Sequence, residues 1–346
     1  MRYLKQLAAC VLASSLSLTA AAQTLVVGDQ SFNARAVMEA AGVLDDLPYT
    51  LEWKQFTAGS PVAEALNTGS LDIGLLGDAP PLFLGALGAP IKVIAVSRQN
   101  LDGVAILARK DSNIHSLEDL RGKRAAIWKG SWSQQLLFSA LDKAAVPRDA
   151  LELRYLSALD ASHALDGGSV DVIATWEPYV TQQERQGARV LATAEGLIPA
   201  QSFVVANAKA VEAKRAQISD FLQRLKKARD WTLSDPAHTE AYADAWAKRT
   251  RADRDIARAW FARARTDVAP LNPQVIVDAQ KTVDFFAGLG LIKNYPASSL
   301  FDTSFAAAFD RGRRCQRGRF GGDRTAYARG EIDRGRCAGL PAQHIA

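Results

Sequence analysis

Three places in this chain set small or hydroxyl-bearing residues where an extended segment gives way to a helix: Gly59-Ser60-Pro61, Asp78-Ala79-Pro80 and Gly130-Ser131-Trp132. The first N–H groups of a helix have no intrahelical acceptor and sit at the positive end of its dipole, so such starts hold anions. One terminus contributes about 0.3–1 kcal/mol, and useful affinity needs several to converge. Gly59, Ser60, Ala79, Gly130, Ser131 and Trp132 are the candidate donors. Ser131 can add its hydroxyl, and an ordinary N-cap role suits it equally. Gln30, Ser31 and Phe32 follow the first apolar run, at the strand end where α/β sheets place ligands. Trp132, Trp176 and Phe32 can wall the organic part of a ligand, whereas Tyr179 suits core packing better. Asp78 and Glu177 are awkward beside an anion. Capping a helix or bonding loop N–H groups is their simpler role, and accepting from an amine or hydroxyl of the ligand is the sharper one. Ser202, at the head of a later strand, completes the set. Arg35, Arg98 and Lys129 are available cations, with solvated surface positions as their default.

Residues so far apart need a frame that gathers them, and an internal echo supplies one. Ala65-Leu66-Asn67-Thr68-Gly69-Ser70-Leu71-Asp72-Ile73 is matched by Ala164-Leu165-Asp166-Gly167-Gly168-Ser169-Val170-Asp171-Val172. Each copy reads as a helix end, a glycine suited to a left-handed cap, and a short apolar strand. An acidic residue and a proline able to open the next helix follow both, in Asp78-Ala79-Pro80 and Glu177-Pro178. The echo predicts two similarly built α/β lobes, with strand ends and helix starts facing a shared cleft.

The rest of the chain fits that frame. Strands are expected at Thr24–Val27, Leu51–Trp53, Leu71–Leu76, Ile91–Val96 and Val104–Leu107, with helices between. Arg124–Trp128, Leu151–Leu156 and Val170–Ala174 repeat the alternation, which implies mostly parallel sheets covered on both faces. Leu136, Leu137, Ala140 and Leu141 recur at helical spacing after Ser133. From Ala210 the chain turns helical, with Ile218, Phe221, Leu222 and Leu225 on one stripe. We expect a discontinuous first lobe, 23–108 plus 207–310, and an inserted second lobe, 109–206. The hinge would then lie near Ala108–Arg109 and Val205–Asn207.

Length and composition agree with a globular protein of two domains: 346 residues, 48% hydrophobic and 23% charged. Arg2 and Lys5 precede an apolar run from Leu7 to Leu18 that ends in Ala20-Ala21-Ala22, the pattern of a cleavable signal peptide over residues 1–22. Cys10 comes too early in that run to be a lipid-anchor site. Residues 311–346 hold nine arginines against Asp323, Glu331 and Asp333. Removing that +6 and the +2 of Arg2 and Lys5 from the overall +5 leaves the body at −3, which gives no support for nucleic-acid binding. The Arg/Gly-rich segment lacks apolar periodicity and reads as disordered. Cys315 and Cys337 lie in it, so no cysteine falls between residues 23 and 310.

Taken in order, Gly28-Asp29-Gln30, Leu47-Pro48-Tyr49, Glu64-Ala65-Leu66-Asn67, Gly77-Asp78-Ala79-Pro80-Pro81, Gly130-Ser131, Thr175-Trp176-Glu177-Pro178-Tyr179 and Gln201-Ser202-Phe203 form a series. That series resembles the aliphatic-sulfonate branch of the periplasmic solute-binding proteins of ABC importers, relatives of the taurine and nitrate receptors. The resemblance covers roughly residues 24–305. It implies a type-II periplasmic-binding-protein fold, two α/β lobes joined by two crossings with a ligand cleft between them. It further implies a monomer in the periplasm that hands a small anionic solute, an alkanesulfonate, to an inner-membrane ABC permease. Taurine, nitrate, sulfate esters and a neutral thiamine-precursor ligand are the alternatives. The segment after Asp310 departs from the family pattern. A frameshifted reading frame would produce it, and no function is assigned to it.

Catalysis finds little support. His115, His163, His238 and His344 are scattered, and no metal-binding, nucleophile-elbow or phosphate-loop motif is present. No cofactor is expected. Sulfinate desulfinases, the enzymes nearest this family, carry a catalytic cysteine that the body lacks.

Overall fold

The computed structural model describes residues 23–310. The expected signal peptide and the Arg/Gly-rich segment lie outside the described residues. Strands β1 (Thr24–Gln30), β2 (Thr50–Phe56), β3 (Ile73–Gly77) and β4 (Ile91–Arg98) come first, interleaved with helices α1 (Asn33–Ala40), α2 (Gly59–Asn67) and α3 (Ala79–Gly85). Strands β5 (Val104–Ala108), β6 (Arg124–Ile127), β7 (Glu152–Tyr155), β8 (Val172–Trp176) and β9 (Arg189–Thr193) follow. They alternate with α4 (Trp132–Lys143), α5 (Ala158–Asp166) and α6 (Tyr179–Arg185). The chain then adds β10 (Ser202–Asn207), four helices, β11 (Asp267–Ala269) and a last helix. These helices are α7 (Ala208–Ala213), α8 (Arg215–Ser234), α9 (Pro236–Thr250), α10 (Arg254–Ala264) and α11 (Pro273–Gly288).

Two sheets result. One runs β11-β4-β10-β3-β1-β2 and the other β7-β6-β8-β5-β9. In each, three parallel strands meet one antiparallel strand, β10 against β3 or β5 against β8. The two lobes thus share one topology, as the echo predicts. The echoed segments match in local detail. Gly69 (φ +76°) and Gly168 (φ +71°) both take the left-handed region that a side chain would strain. Asp72 Oδ2 accepts from Val26 N at 2.7 Å, and Asp171 Oδ2 accepts from Arg124 N at 3.0 Å, each tying the start of its strand to the parallel neighbour in the sheet.

The expected lobe boundaries move. β5 pairs with β8 and β9, so residues 104–108 lie in the second lobe's sheet; β10 pairs with β3 and β4, so residues 202–207 lie in the first. The crossings therefore fall at about 99–103 and 194–201, not at Ala108–Arg109 and Val205–Asn207. Both strands are short, apolar and buried, so either sheet could accept them on pattern alone.

Helices cover both faces of each sheet. Ala36, Phe221, Leu222 and Trp246 pack on one face of the first sheet, and Leu66, Leu82, Val275 and Val283 on the other. Leu136, Leu137 and Leu141 of α4 form the second lobe's larger core. Each such side chain contributes about 1.5–3 kcal/mol by leaving water. The helix-rich end does pack back on the first lobe, through the α8 stripe.

Candidate anion-binding cleft

A cavity of about 170 Å³ opens at the carboxyl ends of β1, β3 and β8, between elements of both lobes. Nine of the thirteen expected residues line it: Gln30, Ser31, Gly59, Ala79 and Ser202 from the first lobe and its returning strand, with Ser131, Trp132, Trp176 and Glu177 from the second. Four do not. Phe32 packs against the first lobe's core, and its N–H donates to Gln55 Oε1 at 2.9 Å. Ser60 has an exposed side chain on α2. Asp78 is fully buried behind the wall. Gly130 takes φ +68° and faces Phe83, and its N–H donates to Gln134 Oε1 at 2.7 Å, so it is no ligand donor here.

The helix starts differ sharply in what they offer. Asp29 accepts from Ala34 N (3.1 Å) and Arg35 N (2.9 Å), which closes the start of α1. Ser131 caps α4: its Oγ donates to the Trp128 carbonyl at 2.7 Å and accepts from Ser133 N at 3.2 Å. The N-cap role is therefore the observed one. Prolines at positions 80 and 81 leave α3 with few donors beyond Ala79 N–H. Glu177 Oε2 accepts from Thr181 N at 3.0 Å and Oε1 from its hydroxyl at 2.8 Å, capping α6. The exception is α2. Its N-cap is Ala58, which has no oxygen to offer, and no acceptor among the described residues reaches the N–H groups of Gly59 and Ser60.

The strongest cation on the wall is Arg229 of α8, 4% exposed. Its guanidinium donates to Asn33 Oδ1 and, at 3.4 Å, to the Tyr242 hydroxyl. No carboxylate among the described residues comes within ion-pair distance. Sequence reasoning missed it, although the signal was present: Arg229 follows Leu225 by four residues, so a cation occupies the buried stripe of α8. Burial makes the carboxylates beside the cavity easier to protonate than exposed ones. Burial pushes Asp29 up to about 6, against the pull of its two backbone N–H donors and Arg229. Burial also pushes Asp78 up to about 6, with the Trp132 hydrogen bond opposing. Glu177 is raised by burial too, partly offset by Thr181 and Arg263.

Residues 50–239 match the family described as NMT1/THI5 like. The chain belongs to that family. A relative in Escherichia coli K12, provisionally named as an aliphatic sulfonates-binding protein, is 33% identical over 238 residues, 68% of this chain and 74% of its own. The alkanesulfonate-binding protein SsuA from Xanthomonas axonopodis pv. citri, solved bound to MOPS, is 28% identical with a TM-score of 0.75, covering 82% of this chain and 99% of that one. At 16% identity and TM-score 0.65, the desulfurization enzyme DSZB covers 82% and 98%, a likeness of fold alone. The periplasmic-binding-protein fold expected from the sequence is the observed one.

In this NMT1/THI5-like chain the two lobes also meet directly beside the cavity. Trp132 Nε1 donates across the lobes to Asp78 Oδ1 at 2.7 Å, and within the first lobe Thr282 Oγ1 donates to Asp78 Oδ2 at 3.3 Å. The Trp132 ring lies against Gly77, where an added Cβ would sit 3.2 Å from two ring carbons. Arg263 of α10 reaches Glu177 at 3.2 Å and also bonds Glu184. One tryptophan therefore both walls the cavity and clasps the lobes.

Proposed function

We propose that this protein is a periplasmic solute receptor that binds an aliphatic sulfonate in the interlobe cavity and delivers it to an ABC permease. The observation that carries the reading is Arg229: a buried guanidinium without a carboxylate partner, on the wall of a cavity that also receives the uncapped start of α2. Leaving such a charge uncompensated costs several kcal/mol, which an incoming anion offsets. A sulfonate suits the site because it stays ionised and offers three acceptor oxygens with no proton to donate. Gln30, Ser31, Gly59 and Ser202 surround the headgroup in this reading, with Trp132 and Trp176 against the organic part. The names of the sulfonate-binding relatives support the choice over nitrate.

The reading also holds that the chain is a monomer, is exported by residues 1–22, and performs no catalysis. A desulfinase would need a cysteine at the cavity, and none occurs between residues 23 and 310. The lobes move about the crossings at 99–103 and 194–201.

Arg229→Met tests the reading by titration calorimetry and thermal melting. Losing a charged hydrogen-bonding partner is expected to weaken alkanesulfonate binding by about 1.5–3 kcal/mol, roughly 10- to 100-fold. Melting should hold or rise, because a buried unpaired charge has been removed. Unchanged affinity in a folded variant overturns Arg229 as the anchor.

A further inference from the structure

The cavity wall is richer in indole than a receptor for straight chains requires. Trp132 of α4, Trp176 of β8 and Trp260 of α10 all reach it, from three separate elements. Each is braced. Trp132 and Trp176 meet edge to face, centroids 6.4 Å apart at 87°, and Trp176 also lies 6.4 Å from Trp128. Trp260 stands edge-on to Trp246 at 5.6 Å and 4.6 Å from Phe261. Neighbouring aromatic rings hold these indoles in place.

An alkyl chain needs only apolar surface, which leucine or valine supplies. Indole faces add an attraction for the positive edge of a second flat ring, and indole edges for its face. The volume agrees. A cavity of about 150 Å³ is enough to take benzene, and this one measures about 170 Å³. Resting on the sulfonate-receptor reading, we propose that beside aliphatic sulfonates the cleft takes arenesulfonates, a six-membered aromatic ring bearing a sulfonate, in preference to their saturated ring counterparts. The sulfonate meets Arg229 and the start of α2, and the ring lies among the three indoles.

Titration calorimetry with benzenesulfonate, cyclohexanesulfonate and ethanesulfonate tests this. Cyclohexanesulfonate carries the same number of carbons without the flat π face. We expect benzenesulfonate to bind at least threefold more tightly than cyclohexanesulfonate. Trp176→Leu should bring that ratio toward one, by lowering benzenesulfonate affinity more than cyclohexanesulfonate affinity. Trp260→Leu serves as the second variant if the first fails to fold. A wild-type ratio below threefold, or one that every folded variant retains, overturns the aromatic preference and leaves the receptor reading intact. Absence of binding by all three sulfonates overturns the receptor reading itself.

Discussion

Asp29 borders the cavity that Arg229 also borders, and its proton decides how the two charges add. Its carboxyl titrates near 6 because burial disfavours the anion. Below that pH the cation acts with less opposition, and a sulfonate remains charged throughout. Sulfonate affinity should therefore rise roughly fivefold, about 1 kcal/mol, between pH 7 and pH 5. Asp29→Asn should bind at the higher level at both pH values, as calorimetry would read directly. Asp78 makes a parallel statement about stability. Its native value near 6 exceeds the ordinary 3.8, so the native state holds a proton that the unfolded chain has lost. That contribution is complete below about pH 4 and is lost as the pH rises through 6. Asp78→Asn, which keeps an acceptor for Trp132, should raise stability at pH 8 by about 1–3 kcal/mol and flatten the slope. Urea unfolding at pH 5 and pH 8 measures both.

Among the elements, α2 is unusual in starting at an alanine cap and carrying a proline third, so its free N–H groups reduce to Gly59 and Ser60. Ala58→Asp would supply the missing cap and stabilise the helix by about 1 kcal/mol. The same carboxylate would occupy the donors and repel an anion, so sulfonate binding should fall tenfold or more as melting rises. Calorimetry and a thermal melt on one sample test the opposition. The start of α4 was legible from Gly130-Ser131 because a capping serine and the apolar residues after it are local signals. The loss of Gly130 as a donor was not, since it depends on the Gln134 side chain turning back one turn. Sheet membership of β5 and β10 was likewise hidden. Periodicity reports that a strand is buried, and the partner it pairs with is a tertiary fact. Arg229 lay in plain view on the α8 stripe, yet a cation there contradicts the pattern that defines the stripe.

For the whole molecule, Trp132 joins the cavity wall to the contact between the lobes. Gly77→Ala would press a Cβ against the indole at 3.2 Å and hold the lobes apart. Sulfonate affinity should drop severalfold, and the radius of gyration of the liganded variant, measured by small-angle scattering, should exceed that of the parent. The returning strand β10 carries a different consequence, for the order in which the molecule is assembled. It lies between β3 and β4, and without it those two strands have no shared neighbour. The inserted lobe is contiguous from Val104 to Thr193 and has every strand of its sheet in hand by then. The outer lobe must wait for Asn207 to join β3 to β4 and for Ala269 to add β11, with β3 and β4 each presenting a bare edge in the meantime. A chain emerging from its N-terminus thus finishes in the middle before it finishes at the start.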